Sequence, residues 1–130
     1  MIYLDSCAIV KLVHVTPETP ALRTWLTEQG GVPLVSSTLA RVECARALRR
    51  VDPPALANLP LVLGAINFIA MDDGVCAAAA AQPEPLLRSL DAIHLATAAL
   101  LGSALTWFVT YDKRLLAAAA AAGLPVVEPR

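Results

Sequence analysis

The chain has 130 residues, of which 57% are hydrophobic and 16% are charged, and its formal net charge at pH 7 is −1. A chain of this length can bury a core without disulfides or a structural metal, so we expect a single domain over residues 1–130. The near balance of charge excludes a protein whose whole surface attracts nucleic acid, although it is compatible with a local basic patch.

The chain begins with a predicted strand followed by two predicted helices. Residues 2–4 predict a short buried strand, and Asp5 or Ser6 is suitably placed to cap the helix after it. The segment TPETPALRTWLTEQGG predicts a helix that is begun by prolines and ended by a glycine pair. The segment VPLVSS then predicts a second short strand.

The next helix, TLARVECARALRRV, has an apolar stripe at helical spacing. Ser36, Ser37 or Thr38 is suitably placed to cap this helix. The segment that follows, DPPALANLPLVLG, is interrupted by prolines and predicts either helix or loop.

The segment AINFIAM predicts a third strand. Asp72 and Asp73 then cap an alanine-rich helix, which the segment QPEP ends. Because alanine is the strongest helix former, the alanine-rich segments predict a high helix content.

The most apolar stretch, AIHLATAALLGSALTWFV, is interrupted by glycine and serine and then changes to a strand pattern. A membrane-spanning helix needs about 20 continuous apolar residues, so we interpret this stretch as a buried helix followed by a fourth strand. A helix from DKRLLAAAAAAG and a last strand from LPVVEP complete the chain. Repeated strand–helix units predict an α/β fold with a parallel sheet and helices on both faces.

Four acids are expected near one edge of this sheet. Asp5 and Asp112 follow the first and fourth strands, and the carboxyl ends of parallel strands form the ligand-binding edge. Asp91 lies in the first turn of its helix, and each of these three aspartates could serve as a helix cap or as a favourable charge at a helix start. Glu43 lies inside a helix, where capping is not available, so its carboxylate needs an arginine or a metal as partner.

Basic residues surround two of these acids. If the four acids lie together, seven other acids face ten Lys and Arg residues, and the remaining surface is mildly basic. Five of these cations lie around Glu43 or beside Asp112: Arg41, Arg46, Arg49, Arg50 and Arg114. Of these, the candidate RNA-binding residues are Arg46, Arg49, Arg50 and Arg114. An ordinary solvated helix face explains the same pattern from charge alone.

Four segments, in this order and spacing, resemble the PIN-domain ribonucleases and, among them, the VapC-type toxins of bacterial toxin–antitoxin pairs. The segments are YLDSCAIVKL, ARVECARAL, LDAIHLATA and VTYDKRLLAAA. The resemblance extends over nearly the whole chain and implies a three-layer α/β/α sandwich with a central parallel sheet. It also implies a metal-dependent endoribonuclease that uses Mg²⁺ or Mn²⁺.

The resemblance assigns roles to individual residues. The three core acids that it implies are Asp5, Glu43 and Asp91, and the fourth acid is Asp112. It also implies that the hydroxyl groups of Ser6 and Thr110 assist the site. Cys7 departs from the family, which more often has serine or asparagine there. The implied partners are the RNA substrate, a VapB-like antitoxin and a second copy of the chain in a homodimer. A divalent cation would relieve the repulsion between these carboxylates and activate water, so no nucleophilic side chain is needed.

Three other functions are compatible with parts of this pattern. A non-catalytic RNA- or protein-binding module of the same fold would use the acids only as caps. A phosphatase forming an aspartyl phosphate would need a second aspartate where Cys7 stands. A metal-free nuclease would need a catalytic histidine, whereas His94 lies on an apolar helix and is predicted to be structural. Tyr111, beside Asp112, is a better candidate for stacking on a base than Trp107, which is predicted to lie in the core.

The cysteines and the apolar excess predict the environment and the partners. Cys7, Cys44 and Cys76 form no C-x-x-C pair, so we expect Cys44 and Cys76 to be small core residues in a reducing compartment. The start of the chain lacks the basic and cleavage regions of a signal peptide, so the expected location is the cytoplasm. The segment PPALANLPLVLGAINF predicts an exposed apolar patch for a protein partner.

Overall fold

A five-stranded, all-parallel sheet forms the centre of the computed structural model, which describes residues 1–130. The strands lie in the order β3-β2-β1-β4-β5. Their bounds are β1 Ile2–Leu4, β2 Leu34–Ser37, β3 Ile66–Ile69, β4 Trp107–Val109 and β5 Val126–Val127. The predicted α/β/α sandwich is therefore confirmed, with all five strands where the sequence places them.

Seven α-helices and two short 3₁₀ turns connect the strands. The helices are α1 Ser6–Val13, α2 Thr19–Glu28, α3 Leu39–Val51, α4 Leu59–Leu63, α5 Asp73–Ala80, α6 Ser89–Ala99 and α7 Lys113–Ala121. The 3₁₀ turns are Pro53–Asn58 and Gly102–Ala104. The uncertain proline-rich segment thus forms a 3₁₀ turn followed by the short helix α4. No helix of the structure has both the length and the apolar character needed to cross a membrane.

The helices cover both faces of the sheet. Ile2 and Leu4 pack with α1, α2, α3 and α4 on one face, while Tyr3 packs with α6 and α7 on the other. Successive side chains of a strand point to opposite faces, so a strand buried on both faces must be apolar at every position. This explains the unbroken apolar run at the start of the chain.

The strand order reverses beside β1. The chain runs from β1 through β2 to β3 on one side and then returns to place β4 and β5 on the other side. Leu4 of β1 pairs with Val109 of β4, so these two strands end side by side. Ligands of open α/β sheets bind in the crevice outside the strand ends at such a switch point. Asp5 and Thr110 are the residues that directly follow these two strand ends.

The structure corrects one prediction about the core and refines another about capping. Cys44 is buried as predicted, but Cys76 is exposed, because α5 buries only Val75 against the rest of the fold. Asp72 caps α5 as predicted by accepting the Val75 N–H. At the start of α3 the side chain of Ser37 accepts the Leu39 N–H at 3.2 Å.

Candidate active site

Asp5 is both a helix cap and a buried acid at the switch point. Its Oδ1 accepts the Ala8 N–H at 2.8 Å, which caps α1, and its Oδ2 accepts the Thr110 hydroxyl proton at 2.5 Å. The residue is only 3% exposed. Burial raises the pKa of Asp5 to about 6, although the bond from Thr110 opposes this rise. The fold therefore keeps a carboxylate where water solvates it poorly.

Glu43 is held by a histidine and a serine. His94 Nε2 lies 2.6 Å from Glu43 Oε1, and the Ser6 hydroxyl donates to the same oxygen at 2.8 Å. Sequence reasoning predicts an arginine or a metal as the partner of Glu43. The structure shows no arginine there, and the protein partners of Glu43 are instead His94 and Ser6. The contact requires α3 and α6 to converge on the start of α1.

Tyr3 fixes the orientation of His94. The Tyr3 hydroxyl lies 2.8 Å from His94 Nδ1, and the two rings meet edge to face. A carboxylate can only accept, so in the neutral imidazole Nε2 donates to Glu43 and Nδ1 accepts from Tyr3. Burial raises the pKa of Tyr3, which keeps its hydroxyl protonated as a donor. His94, which is 1% exposed, therefore belongs to the core and also contacts a site acid.

Arg88 joins the other two acids. Its Nε donates to Asp91 Oδ2 at 3.2 Å, and its Nη2 donates to Asp112 Oδ2 at 3.1 Å. The other oxygen of Asp112 accepts the backbone N–H groups of Arg114 and Leu115 and so caps α7. Burial raises the pKa of Asp91, while the Arg88 guanidinium opposes this rise.

A continuous set of contacts links the four acids around the end of β1. Ser6, which holds Glu43, is the neighbour of Asp5 in the chain. Thr110 donates to Asp5 and accepts the Asp112 N–H at 3.1 Å. Arg88 links Asp112 to Asp91, and Asp91 lines a cavity of about 260 Å³ together with Glu43. The sequence predicts that these carboxylates lie near one edge of the sheet, and in the structure this set of contacts joins them.

The chemistry of this site suits Mg²⁺ or Mn²⁺. The site offers only hard oxygen ligands. The carboxylates are those of Asp5, Glu43, Asp91 and Asp112, and the hydroxyl groups are those of Ser6 and Thr110. No three His, Cys, Asp or Glu side chains of the structure are grouped closely enough to hold one ion together. Mg²⁺ keeps several waters and binds through one or two carboxylates plus substrate phosphates, so this donor set fits such an ion. The Arg88 guanidinium already lies between Asp91 and Asp112. This position indicates that the two carboxylates together attract a positive charge.

The predicted RNA-binding arginines lie on the surface. Arg46, Arg49 and Arg50 are exposed along α3, on the helix that carries Glu43. Arg41 is placed differently, since its guanidinium lies 4.4 Å from the centre of the Phe68 ring. Arg114 is exposed and lines a larger cavity between α7 and the segment before α6.

Tyr111 is bound to other parts of the chain. Its hydroxyl donates to the Pro129 carbonyl at 2.8 Å, and the Lys11 ammonium lies 4.8 Å from its ring centre. These contacts leave less of its ring for a base than the sequence suggests. Trp107 is partly buried and packs edge to face on Trp25, as its predicted core position requires.

Sequence reasoning misses two residues of this site, Arg88 and His94. Each lies three residues from Asp91, on either side of it, and side chains three apart share a helix face. This spacing is a signal that could have placed both residues beside the acid. The links to Asp112 and Glu43 join distant segments of the chain, so helical spacing cannot reveal them.

Comparison with known proteins agrees with this architecture. The protein-family model for the PIN domain matches residues 2–121 of the sequence. The chain belongs to the PIN-domain family. Among relatives of this PIN-domain chain, Ribonuclease VapC35 from Mycobacterium tuberculosis is 47% identical over 131 residues, which covers 99% of this chain and 97% of that protein. Ribonuclease VapC47 from the same species is 41% identical over 132 residues, which covers 99% and 97% respectively.

Solved PIN-like structures share the fold at lower identity. The crystal structure of Mycobacterium tuberculosis VapC20, described as a toxin that cleaves the sarcin–ricin loop, matches with a TM-score of 0.78 and 15% identity over 99% of this chain and 100% of that one. A toxin–antitoxin complex from Klebsiella pneumoniae matches with a TM-score of 0.71 and 20% identity over 100% and 98%. These likenesses support the α/β/α arrangement of the chain, and the relatives of higher identity place it among the VapC ribonucleases.

Proposed function

We propose that this PIN-domain chain is a Mg²⁺- or Mn²⁺-dependent endoribonuclease and the toxin component of a VapBC-type toxin–antitoxin pair. The observation that carries this proposal is the contact network that joins four carboxylates from four separate segments at the switch point of the sheet. The name of the 47% identical relative, Ribonuclease VapC35, supports the ribonuclease assignment. Helix capping alone does not explain Glu43, which lies inside α3 and is not at a helix start.

The proposed metal-binding acids are Asp5, Glu43, Asp91 and Asp112. Because no three of them are grouped closely enough to hold one ion together, we expect one or two to bind the ion directly and the others to act through water. The bound metal would supply an activated water and positive charge against the scissile phosphate. Asp5 is held in place from two sides, by the Ala8 N–H and the Thr110 hydroxyl. This rigidity suits a ligand, since its side chain does not have to be ordered when the metal binds.

His94 and Ser6 act as positioning residues for Glu43 in this proposal. Both bond to Oε1, which leaves Oε2 free of protein partners. Hydrogen bonds to a ligating carboxylate fix its orientation and tune its basicity. Tyr3 in turn holds His94, so a buried chain of three side chains ends at the site.

RNA would approach over the basic surface beside the acids. Arg46, Arg49, Arg50 and Arg114 are exposed, so each can bind a phosphate without breaking an internal ion pair. Such contacts are independent of sequence and do not select the RNA. Unpaired loops are the expected targets, because their bases are accessible without melting a duplex.

A VapB-like antitoxin and a second copy of the chain are the proposed protein partners, and the cytoplasm is the proposed location. The predicted apolar segment contains Leu61, which is 82% exposed, although Ala55, Leu59 and Ile66 within it are buried. Leu61 also lines an apolar cavity of about 480 Å³ beside α1, which is compatible with a protein contact. Harmless expression of the wild-type chain alone in its native host would contradict the toxin role.

The test of this function is sequencing of the RNA ends made by the purified chain, free of any partner, with Mg²⁺ present. We expect new ends at defined positions, and we expect them to be absent with Asp91→Asn. Asp112→Asn should keep part of the activity, since a ligand that acts through water contributes about 10- to 100-fold. RNA binding without any new ends would instead favour the non-catalytic module of the same fold.

A further inference from the structure

Arg88 lies between two of the four acids and covers them from the solvent side. Its side chain is 66% exposed, whereas those of Asp91 and Asp112 are 15% and 25% exposed. One guanidinium nitrogen bonds to each carboxylate, so the side chain joins α6 to the start of α7. The side chain of Arg88 therefore forms part of the wall through which an ion or a phosphate reaches these acids.

Arg88 contacts one oxygen of each acid, and in Asp112 this is the oxygen that the rest of the fold leaves available. Asp112 uses Oδ1 to accept two backbone N–H groups of α7, so Oδ2 is directed to Arg88. Asp91 has Arg88 as its one hydrogen-bond partner, also through Oδ2. A cation that binds Asp112 must therefore use Oδ2, the oxygen that already contacts a positive group, whereas Oδ1 of Asp91 has no protein partner.

We propose that Arg88 and the divalent metal are alternative occupants of the Asp91–Asp112 carboxylate pair, and that the displaced guanidinium binds a phosphate of the RNA. The proposal rests on the proposed function, because it takes the same acids as ligands. It adds a substrate-binding residue that none of the predicted arginines supplies.

Charge and shape both favour this exchange. A guanidinium and a divalent cation repel each other when both contact the same carboxylate pair, so binding of one weakens binding of the other. Arg88 and Glu43 line the same cavity of about 260 Å³, so a guanidinium released from the carboxylates remains beside the site. The planar fork of arginine bonds to phosphate through two nitrogens, as it now bonds to two carboxylates.

The first arm of the test measures Mn²⁺ affinity by isothermal titration calorimetry without RNA. Arg88→Gln should bind Mn²⁺ about three- to tenfold more tightly than wild type, as expected for the loss of a partly exposed competing ion pair. Arg88→Lys keeps the charge but loses the fork, so its affinity should lie between these two. Arg114→Gln removes the same charge two residues from Asp112, where the arginine side chain forms no ion pair with a carboxylate, and should change the affinity less than about twofold.

The second arm measures binding of a mixed-sequence single-stranded RNA oligonucleotide with saturating Mn²⁺. A Glu43→Gln background keeps the RNA intact. Adding Arg88→Gln to it should weaken RNA binding and reduce the slope of log affinity against log salt by about 0.7, the value for one lost phosphate contact on a single strand. The substitution thus has opposite effects on metal and on RNA, which loss of structure would not produce.

Two results would overturn the proposal. One is an unchanged or weaker Mn²⁺ affinity in an Arg88→Gln variant that melts at the wild-type temperature. The other is RNA affinity that does not respond to Arg88→Gln with Mn²⁺ bound. Failure of the wild-type chain to cleave RNA would contradict the proposed function by a separate readout, whereas the metal titration uses no cleavage and judges Arg88 directly.

Discussion

Replacing the buried acid Asp5 by asparagine should stabilise the metal-free protein at neutral pH while removing its activity. Burial raises the pKa of Asp5 from 3.8 to about 6, so the folded state holds this proton more tightly than the unfolded state does. Stability from this group is therefore greatest below pH 4 and is lost as the pH rises through about 6. Asparagine has the shape of the protonated carboxyl group and does not titrate.

The expected magnitude follows from that rise in pKa. A tenfold change in a protonation equilibrium corresponds to about 1.4 kcal/mol, so the ionised Asp5 costs at most about 3 kcal/mol at pH 7.5. Asp5→Asn should match the wild type at pH 4 and exceed it by up to about 3 kcal/mol at pH 7.5. For a chain of this size that gain corresponds to roughly 10 °C in melting temperature.

The assay is urea unfolding or calorimetric melting with EDTA at pH 4, 6 and 7.5. Asp72→Asn is the matched control, because Asp72 also caps a helix but its side chain is exposed; it should change stability by less than about 0.5 kcal/mol at each pH. Saturating Mg²⁺ should stabilise wild type more than Asp5→Asn, because the variant lacks a proposed ligand. Equal stability of wild type and Asp5→Asn at pH 7.5 would refute the account of Asp5 as a poorly solvated carboxylate.

Three further predictions concern the rest of the site and the surface. His94→Asn should weaken Mn²⁺ binding by about 10- to 100-fold, the usual effect of losing a group that orients a ligand, and unchanged affinity would leave His94 purely structural. Replacing Arg46, Arg49 and Arg50 together by alanine should weaken RNA binding and lower the slope of log affinity against log salt by about 2. An unchanged slope would mean that these residues form only a solvated helix face. Light scattering at micromolar concentration should give the mass of a dimer. The mass of a monomer would contradict the proposed homodimer.

The order and type of the elements follow from local signals in the sequence. Buried strands such as Ile2–Leu4 are apolar at every position because helices cover both faces of the sheet. Gly123 has a φ of +81° just beyond α7, the left-handed conformation in which glycine ends helices. The exposure of Cys76 could not be predicted in this way, because it depends on how little of α5 the neighbouring elements cover.

The acids of the site could be predicted, but several of their partners could not. Asp5 and Asp112 are visible because they follow strands, and a parallel sheet brings such positions to one edge. The contact of Glu43 with His94 joins residues 51 positions apart and depends on the packing of α3 and α6 against α1. The bond from Arg88 to Asp112 likewise spans 24 positions, which include α6 and β4. These contacts are set by tertiary geometry, which periodicity and propensity do not encode.

RNA cleavage by this chain is proposed to depend on a divalent metal held by the four acids, and the most direct test is the cleavage rate as a function of Mg²⁺ concentration. Wild-type chain should show no cleavage in excess EDTA and a saturable rise in rate when Mg²⁺ is restored. Glu43→Gln, which replaces one carboxylate and keeps the shape of the side chain, should lose at least about a hundredfold in rate at every Mg²⁺ concentration. Undiminished cleavage in excess EDTA, or a wild-type rate in Glu43→Gln, would contradict the account.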